Sequence, residues 1–569
     1  MSPELEQTLA VAEWLIDQAD VCRRRRNVEA ALSCVGFASR VLSRQNRILT
    51  HPRIERLLKD IAQESFAADQ PWQPAPGAGV VHVLTNALAH GGHTAMAVRW
   101  MHADARPGVH SAALTAQRVP VPDALRRETT ARGGQVFEAP RNAGALDRAR
   151  WLRDLVRREA RLVVLHVDMD DVASIVAFAA GDGPPVLIVN HAGHIYWTGA
   201  SVADLILNCR SSAYEVEWSR LYRAPRSGIL PIPLVEPAAD GASRDTFRRE
   251  WRTRQGLDAD AVVLLAVGDT YKFTPLPRYG LDYRDSARRI LARVPRAHLF
   301  VVGARSDAGW DLVARETGGR LHVMGRQPDV FPYYRAADAC LESFPFGSTT
   351  SLFEAGLSGL PVVLAPATAP PPFGTDGIAV DGVLERPESV PAFEDAAVRI
   401  ASDDAERRRV AERFGAAIRA HHLGEGWNRH LEAAEAALPA RHGSYQDSTG
   451  LSTPPAIHEF WTAMREECWK ADWPDMSAHQ LPQFYVRVLA NAGLRPCLPK
   501  TLLRASAGVA EARRGQGVPL VLLRAFTNGV QPWLGDTRSH AMLTSLETLF
   551  RPGSRTSMWG RRFIPASWW

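Results

Sequence analysis

A glycine and three hydroxyl residues stand between a predicted strand and a predicted helix: Gly347, Ser348, Thr349 and Thr350. The strand is the apolar run ACLES (339–343), and the helix is predicted to begin near Thr350. Backbone N–H groups at a helix start, a small glycine and hydroxyl donors together favour an anion, so a phosphate group fits there. The alternative is an ordinary capped helix, because Ser351 and Glu354 have the spacing of a capping box.

The second candidate group is one lysine in a chain that otherwise uses arginine. Only four of the 67 basic residues are lysines, and Lys272 is the only lysine between residues 60 and 469. It lies in GDTYKFTP (268–275), after a predicted strand of the sheet that also leads to residues 347–350. Because the carboxyl ends of parallel strands meet at one edge, we expect the two groups to lie together. A positive charge there suits a departing diphosphate without a metal; the alternative is a surface lysine.

A pair of histidines opens a predicted helix in the first half of the chain. In NALAHGGHTAMA (86–97), His90 and His93 flank Gly91 and Gly92. The glycines let the backbone approach a ligand, and an imidazole there could take a proton from an acceptor substrate. Either histidine could instead cap the helix or bind a phosphate.

Two further histidines, His191 and His194, follow a predicted strand in VNHAGHIYW (189–197). Residues at the carboxyl end of such a strand face the ligand cleft of an open parallel sheet. We expect this pair to line the acceptor side, and a core or loop role is the alternative.

A rival pattern is the Asp-x-Asp triplet formed by Asp168 and Asp170 in HVDMDD (166–171). Two carboxylates at this spacing could hold a divalent metal on a nucleotide sugar, as in a GT-A enzyme. The triplet lies inside the first of two sheet units, and the second unit has its own phosphate site. An acidic cluster at a helix N-terminus is therefore the favoured interpretation.

Short apolar runs alternate with helical patterns through most of the chain, which predicts parallel sheets covered by helices. Strands are predicted at residues 79–88, 162–168, 185–192 and 203–209, and again at 261–269, 297–305, 321–325, 339–343 and 361–365. The predicted organisation is a helical cap (1–68), two Rossmann-like α/β domains (76–236 and 244–440) and a tryptophan-rich, mostly helical extension (454–569). A single basic helix is predicted at about 397–421 and a polar linker at 443–453. The ligand cleft is expected between the two sheets.

Composition excludes several classes of protein. The chain has 569 residues, 46% hydrophobic and 23% charged, and no run of about twenty apolar residues that could span a bilayer. Six separated cysteines without a CxxC pair argue against a zinc site or a disulfide framework. The arginines are scattered among 62 carboxylates, so nucleic-acid binding is not expected. The acidic N-terminus lacks the pattern of a signal peptide, which predicts a cytoplasmic protein.

The segments VGDTYKFTP and VMGRQPDVFPYYRAADACLESFPFGSTTSLFEAGLSGLPVVLAP resemble the donor half of GT-B glycosyltransferases, most closely the O-GlcNAc transferase and HMW1C-like group. The resemblance covers 261–366 well, 80–235 weakly, and is absent after about 440. It implies that Lys272 contacts the donor diphosphate, that residues 347–350 cradle it, and that Glu354 holds the ribose. The loop GRQPD (325–329), with Arg326, would receive the base.

This resemblance implies a sugar donor linked to a nucleoside diphosphate, for which UDP is expected, and no further cofactor. The acceptor would be a protein, a glycan or a small molecule. Retaining GT-B enzymes have two glutamates separated by seven residues, whereas the position eight before Glu354 is Phe346. Inversion is therefore favoured. An epimerase of GT-B fold and a non-catalytic binding scaffold are the alternatives.

Overall fold

The computed structural model of the protein describes residues 3–43, 48–69, 72–210, 213–222, 226–237, 243–438 and 454–468. Within these residues the chain forms an N-terminal group of helices, two parallel sheets covered by helices, and one helix near residue 460. This architecture confirms the predicted α/β class with two sheet domains in tandem. None of the described helices combines the length and the apolar composition that a bilayer crossing requires.

Three helices precede the sheets: α1 (Pro3–Arg24), α2 (Val28–Ser43) and α3 (Pro52–Phe66). Apolar residues recur at helical spacing along them, and the buried faces share one core with the first sheet. Glu55 on α3 is buried and accepts hydrogen bonds from the N–H groups of Gly199 (2.9 Å) and Ser201 (3.0 Å). The predicted helical cap is therefore attached to the first sheet domain.

The first sheet has seven strands: β1 (Gly79–Leu84), β2 (His110–Leu114), β3 (Val136–Glu138), β4 (Ala160–His166), β5 (Val186–Asn190), β6 (Leu205–Asn208) and β7 (Ser227–Ile229). They pair in parallel in the order β3-β2-β1-β4-β5-β6-β7. The helices of this domain are α4 (Gly92–Ala103), α5 (Asp123–Ala131), α6 (Ala145–Glu159), α7 (Val172–Phe178) and α8 (Ala213–Tyr222), with a 3₁₀ turn at Ala200–Val202. Strands β2, β3 and β7 were not predicted, because they are short and lack a run of β-branched residues.

The second sheet has five strands: β8 (Val262–Val267), β9 (Ala297–Val302), β10 (Leu321–Gly325), β11 (Ala339–Leu341) and β12 (Val362–Val363). They are parallel in the order β10-β9-β8-β11-β12, and all five lie where strands were predicted. The helices are α9 (Arg244–Arg254), α10 (Tyr283–Arg293), α11 (Ala308–Glu316), α12 (Phe331–Ala336), α13 (Thr349–Leu357), α14 (Val390–Ser402), α15 (Asp404–His422) and α16 (Gly424–Ala436), with 3₁₀ turns at Thr270–Phe273 and Pro277–Tyr279.

One helix prediction in this domain is wrong. The basic stretch 397–421 was expected to form a single helix, but the structure divides it between α14 and α15. Asp403 stands between them and accepts hydrogen bonds from the N–H groups of Ala405 (2.8 Å) and Glu406 (3.0 Å). An aspartate that caps a new helix start separates the two segments.

The chain passes between the two sheet domains in two segments that lie side by side. Leu234 N–H donates to the carbonyl oxygen of His422 (3.0 Å), and the His422 ring donates to the carbonyl of Ile232 (2.8 Å). Trp427 Nε1 donates to the carbonyl of Pro231 (2.8 Å), and α16 then packs on the first sheet. The first segment connects β7 to α9, and the second connects α15 to α16.

The predicted domain boundaries stay predictions, although α16, inside the range 244–440, contacts the other domain. The linker predicted at 443–453 and most of the C-terminal extension lie outside the described residues. Helix α17 (Pro455–Cys468) packs its Phe460 ring against the rings of Tyr279 and Phe373, each at 4.8 Å between centroids. The described part of the extension thus belongs to the core of the second sheet domain.

Candidate active site

The predicted anion site (residues 347–350), which together with the preceding Phe346 is called the anion loop, lies at the carboxyl end of the second sheet. Helix α13 begins at Thr349, one residue from the predicted start, with Ser348 as the preceding cap residue. The hydroxyl of Ser348 lies 3.2 Å from that of Ser343, and the hydroxyl of Thr349 lies 3.0 Å from that of Thr375. These contacts order the segment, in which Gly347 precedes Ser348 and Thr350 follows Thr349 in the first turn of α13.

A buried glutamate that sequence reasoning missed lies beneath this loop. Glu342 follows β11 and accepts hydrogen bonds from the N–H groups of Ala365 (2.7 Å) and Thr375 (2.8 Å). A Cβ atom at Gly347 would collide with Oε1 of Glu342, so the loop requires glycine at this position. Burial raises the pKa of the Glu342 carboxyl. A carboxyl group placed directly after an apolar strand was the available signal in the sequence.

Lys272 lies where the sequence placed it, beside the anion loop. Its Nζ donates a hydrogen bond to the carbonyl oxygen of Gly347 (2.8 Å). Burial lowers the pKa of Lys272 to about 8, although the charges of Glu342 and Asp269 act to raise it. An anionic ligand would stabilise the charged form of this lysine, because its negative charge would replace the water that burial removes from the ammonium group.

Glu354 lies on α13, and its carboxylate is ion-paired with a residue of the first sheet domain on the other side of the cleft. Oε1 accepts from Arg99 Nη2 of α4 at 2.5 Å, and Oε2 accepts from the hydroxyl of Tyr334 at 3.2 Å. The capping-box alternative is wrong, because Ser351 lies inside the helix and Ser348 precedes it. The predicted contact with a ribose is compatible with this position but is not tested by it.

On the opposite side of the cleft, α4 begins at Gly92, with Gly91 as its cap residue. His93 Nδ1 donates to the carbonyl oxygen of His166 (3.1 Å), which leaves Nε2 of the neutral ring as an acceptor. Burial lowers the pKa of His93, so the ring is neutral near pH 7. His90 is exposed, and the structure does not bring it together with His93.

The two remaining predicted histidines have different environments. The ring of His191 stacks on His93, with 4.1 Å between centroids. The ring of His194 meets Phe346 of the anion loop at 5.3 Å and Trp461 of α17 at 4.9 Å. Since Lys272 Nζ lies 5.4 Å from the same Phe346 ring, the loop after β5 faces the diphosphate candidate site.

The acidic triplet belongs to a helix N-terminus, as the favoured interpretation predicted. Asp171 caps α7 by accepting from Ser174 N–H (3.1 Å), and Asp170 is ion-paired with Arg40 at 2.5 Å. Asp168 lies 3.8 Å from Nδ1 of His93, and burial with its two acidic neighbours raises its pKa to about 6. Across the described ranges, no group of three or more potential ligand side chains is arranged to hold a metal ion.

Arg326, predicted to receive the base of a nucleotide, follows β10 at the edge of the second sheet. Its side chain is 73% exposed and lies 3.2 Å from Asp269 Oδ2. Asp269 itself follows β8 in the segment that carries Lys272. The structure therefore places Arg326 on the same rim as Lys272, without a direct contact between them among the described hydrogen bonds and ion pairs.

Residues 262–403 match the family described as Glycosyl transferases group 1. No curated protein matches the chain in sequence. Similar solved structures include a mutant O-GlcNAc transferase from Thermobaculum terrenum, with 17% identity, TM-score 0.44, and coverage of 82% of this chain and 83% of that one. HepE from Anabaena, solved with UDP and glucose, has 15% identity and TM-score 0.45 over 63% of this chain and 99% of its own.

WaaG, a glycosyltransferase of lipopolysaccharide biosynthesis, is similar over 63% of this chain and 99% of its own, with 16% identity and TM-score 0.39. The class of the protein follows from the family match over residues 262–403 and from the two parallel sheets. The second sheet domain is a glycosyltransferase domain. The chain is a glycosyltransferase with the two-domain GT-B architecture that its motifs predicted.

Proposed function

We propose that the protein transfers a sugar from a nucleoside diphosphate, UDP in our proposal, to an acceptor held by the first sheet domain. The observation that carries this proposal is the position of Lys272, a partly buried cation 2.8 Å from the carbonyl of Gly347 at the entrance to α13. The diphosphate would bind to Lys272 and to the N–H groups at the start of α13. As the bond from sugar to phosphate breaks, negative charge on the diphosphate increases, and both groups stabilise it.

We further propose that no metal ion or additional cofactor takes part. Lys272 and the helix start supply the positive charge that a metal supplies elsewhere. Asp170, the second carboxylate of the rival metal motif, is ion-paired with Arg40 at 2.5 Å. This ion pair supports a role for Asp170 in attaching the helical cap.

The proton acceptor of the reaction is, in our proposal, supplied by the stacked pair His93 and His191. Burial lowers the pKa of both rings, so each has an unprotonated nitrogen near pH 7. His194, three residues along the same loop, contacts Phe346 of the anion loop, which places the pair across the cleft from Lys272. Phe346 also occupies the position of the first glutamate of retaining enzymes, so we propose inversion at the anomeric carbon.

The test is incubation with UDP-glucose, UDP-galactose and UDP-N-acetylglucosamine, with water as the first acceptor. The expected result is release of UDP together with free sugar of inverted anomeric configuration, which proton NMR detects. Conversion of the donor to its 2-epimer would favour the epimerase alternative. The absence of both UDP binding by calorimetry and turnover of any donor would reject the proposal.

A further inference from the structure

Four imidazoles cross the first sheet in a hydrogen-bonded line: His110 on β2, His82 on β1, His166 on β4 and His191 after β5. His82 Nε2 lies 3.1 Å from His110 Nδ1, and His82 Nδ1 lies 3.1 Å from His166 Nε2. His166 Nδ1 lies 3.2 Å from His191 Nε2. The four strands are neighbours in the sheet, so one ring from each completes a continuous histidine chain.

A carboxylate ends the histidine chain on the side away from the cleft. Asp104, at the end of α4, is buried and has Oδ2 3.4 Å from His110 Nε2. Although burial acts to raise it, the hydrogen bonds from Arg106 and His110 hold the pKa of Asp104 well below its usual range. The group is therefore an ionised acceptor, and His110 Nε2 must carry the proton that it accepts.

This one proton fixes the tautomer of every ring in the chain. A neutral imidazole has one N–H and one bare nitrogen, so Nε2–H on His110 makes its Nδ1 the acceptor for His82 Nε2–H. The same rule passes through His166 to His191. All four rings are then Nε2–H tautomers, and His191 has an unprotonated Nδ1.

The rings are neutral because the chain is buried. Trp100 of α4 covers it, with its ring 5.6 Å from that of His82 and 6.2 Å from that of His166. Burial lowers the pKa of His82, His166 and His191 well below the ordinary histidine value, and it lowers that of His110 against the opposing charge of Asp104.

We propose that the histidine chain is a proton relay that accepts the proton of the acceptor substrate at His191 and delivers the positive charge to His110. This rests on the proposed glycosyl transfer. The X–H bond of the acceptor breaks and an N–H bond forms at His191 Nδ1, while X bonds to the anomeric carbon and the diphosphate leaves with its electron pair. Each ring then passes its Nε2 proton to Nδ1 of the next, through His166 and His82.

The relay ends at His110, which becomes an imidazolium with both nitrogens protonated. Its charge is paired with Asp104, so the carboxylate need not be protonated. Arg106 and Arg132 are the cations near this end, and Asp168 lies near His93 at the cleft end. Without the relay the charge would stay on His191, next to the stacked ring of His93. The return of the proton through His191 resets the tautomers.

The first test uses the wild-type protein and no substrate. Nitrogen-15 spectra of protein labelled at its 18 histidines distinguish protonated from bare ring nitrogens, and single histidine-to-glutamine variants assign the four signals. We expect all four rings to be neutral Nε2–H tautomers at pH 7. A single Nδ1–H tautomer among them would overturn the relay, whether or not the enzyme is active.

Asp104→Asn should reverse the chain. Arg106 donates through its backbone N–H (3.1 Å) and Nε (2.8 Å) to Oδ1 and through Nη2 (2.7 Å) to Oδ2. The amide oxygen of asparagine therefore takes the Oδ1 place, where it keeps two of these three bonds, and the NH₂ group faces His110. The amide then donates to His110 Nε2, and every ring changes to Nδ1–H, including His191. Spectra of this variant should show the reversal, with unchanged circular dichroism. Unaltered tautomers would overturn the assignment of Asp104 as the orienting group.

Kinetics decide whether the chain serves catalysis. Asp104→Asn and His82→Gln should each lower UDP release from a UDP-sugar by about 10²-fold, the range for loss of acid–base assistance, with unchanged affinity for UDP. The double variant should be no slower than either single variant, because both interrupt one path. Asp147→Asn, which removes an exposed carboxylate from the same domain, is the matched control. Additive losses, or full activity in either single variant, would overturn the relay. If the wild type releases no UDP, the proposed function fails, while the spectra still decide the tautomers.

Discussion

Arg99 Nη2 lies 2.5 Å from Glu354 Oε1, so a helix of the first sheet domain is ion-paired to the helix that follows the anion loop of the second. Both side chains are mostly buried, which strengthens the pair relative to one on the surface. The carboxylate that the resemblance assigns to the ribose is therefore shared with a cation from across the cleft. In our proposal, nucleotide binding and the approach of the two domains therefore act on the same carboxylate.

The first prediction concerns this shared carboxylate. Glu354→Gln should weaken UDP binding about tenfold, because an amide accepts fewer hydrogen bonds from ribose hydroxyls than a carboxylate does. Arg99→Ala should leave UDP affinity equal or higher, since it frees Oε1 for the ligand. Calorimetry measures both, with Glu316→Gln on the surface of the same domain as control. Wild-type affinity in Glu354→Gln would remove the ribose role.

The second prediction concerns turnover at the diphosphate. Lys272→Ala should lower the rate of UDP release by about 10² to 10³, the range for removing one preorganised donor that stabilises developing charge. Lys59→Ala, at an exposed position on α3, is the matched control and should be neutral. Steady-state kinetics with a UDP-sugar provide the measurement. An unchanged rate in Lys272→Ala would mean that another group neutralises the diphosphate.

The third prediction is that Lys272 lowers the free energy of unfolding of the protein. Its pKa is 10.5 in the unfolded chain and about 8 in the folded protein. Below pH 8 both states are protonated, and the folded state binds this proton less tightly than the unfolded state does, which lowers the free energy of unfolding. Lys272→Met should therefore be more stable than wild type at pH 7, by about 1 to 3 kcal/mol. Between pH 8 and 10.5 the unfolded state binds more protons, so the advantage of the variant should shrink as pH rises. Thermal denaturation at several pH values checks the sign, and a less stable variant would contradict it.

The fourth prediction separates the two histidines at the start of α4. His93→Ala should reduce transfer by about 10²-fold or more, because it removes an unprotonated nitrogen and the ring stacked on His191. His90→Ala, at an exposed position, serves as the control and should be near wild type.

The pH profile provides the second readout for the histidines. Burial lowers the pKa of His93 and His191, and the reaction needs their neutral forms, so the acid limb of the rate should lie below pH 6.5. Titration of Asp168, whose pKa is raised to about 6, adds to the same limb. A limb at or above pH 6.5 would show that a solvent-exposed histidine controls the rate.

The fifth prediction is that turnover survives exhaustive treatment with EDTA. In our proposal Lys272 and the start of α13 supply the charge stabilisation. Removal of divalent ions should therefore change the rate of UDP release by less than about twofold. The control is the same treatment followed by added manganese. Loss of activity that manganese restores would transfer the role to Asp168 and neighbouring carboxylates.

The sequence predicted the second sheet domain better than the first. Its central strands β8 and β9 are almost entirely apolar and are buried on both faces, and such runs are visible without the structure. Strands β2 and β3 of the first domain carry polar or large exposed residues, so their parallel pairing depends on neighbours that are distant in the chain. The positions of Lys272 and residues 347–350 followed from a simple rule, that parallel strands end at one edge.

The remaining parts of the site depend on contacts between domains. Arg99 is an ordinary helical arginine in the sequence, and nothing local indicates that it reaches Glu354 more than 250 positions away. The histidine chain could not be predicted from the sequence either, because His82, His110 and His166 are single residues in separate apolar segments. Only the strand order β2-β1-β4 makes them neighbours.

The two connecting segments that lie side by side between the sheet domains determine how the cleft can open. Because Leu234 and Trp427 hydrogen-bond one segment to the other, we expect the two connections to bend together if the domains move. Sliding of one domain along the other would break these bonds, whereas rotation about the paired segments keeps them. A rotation of this kind that widened the cleft would have to break the Arg99–Glu354 ion pair.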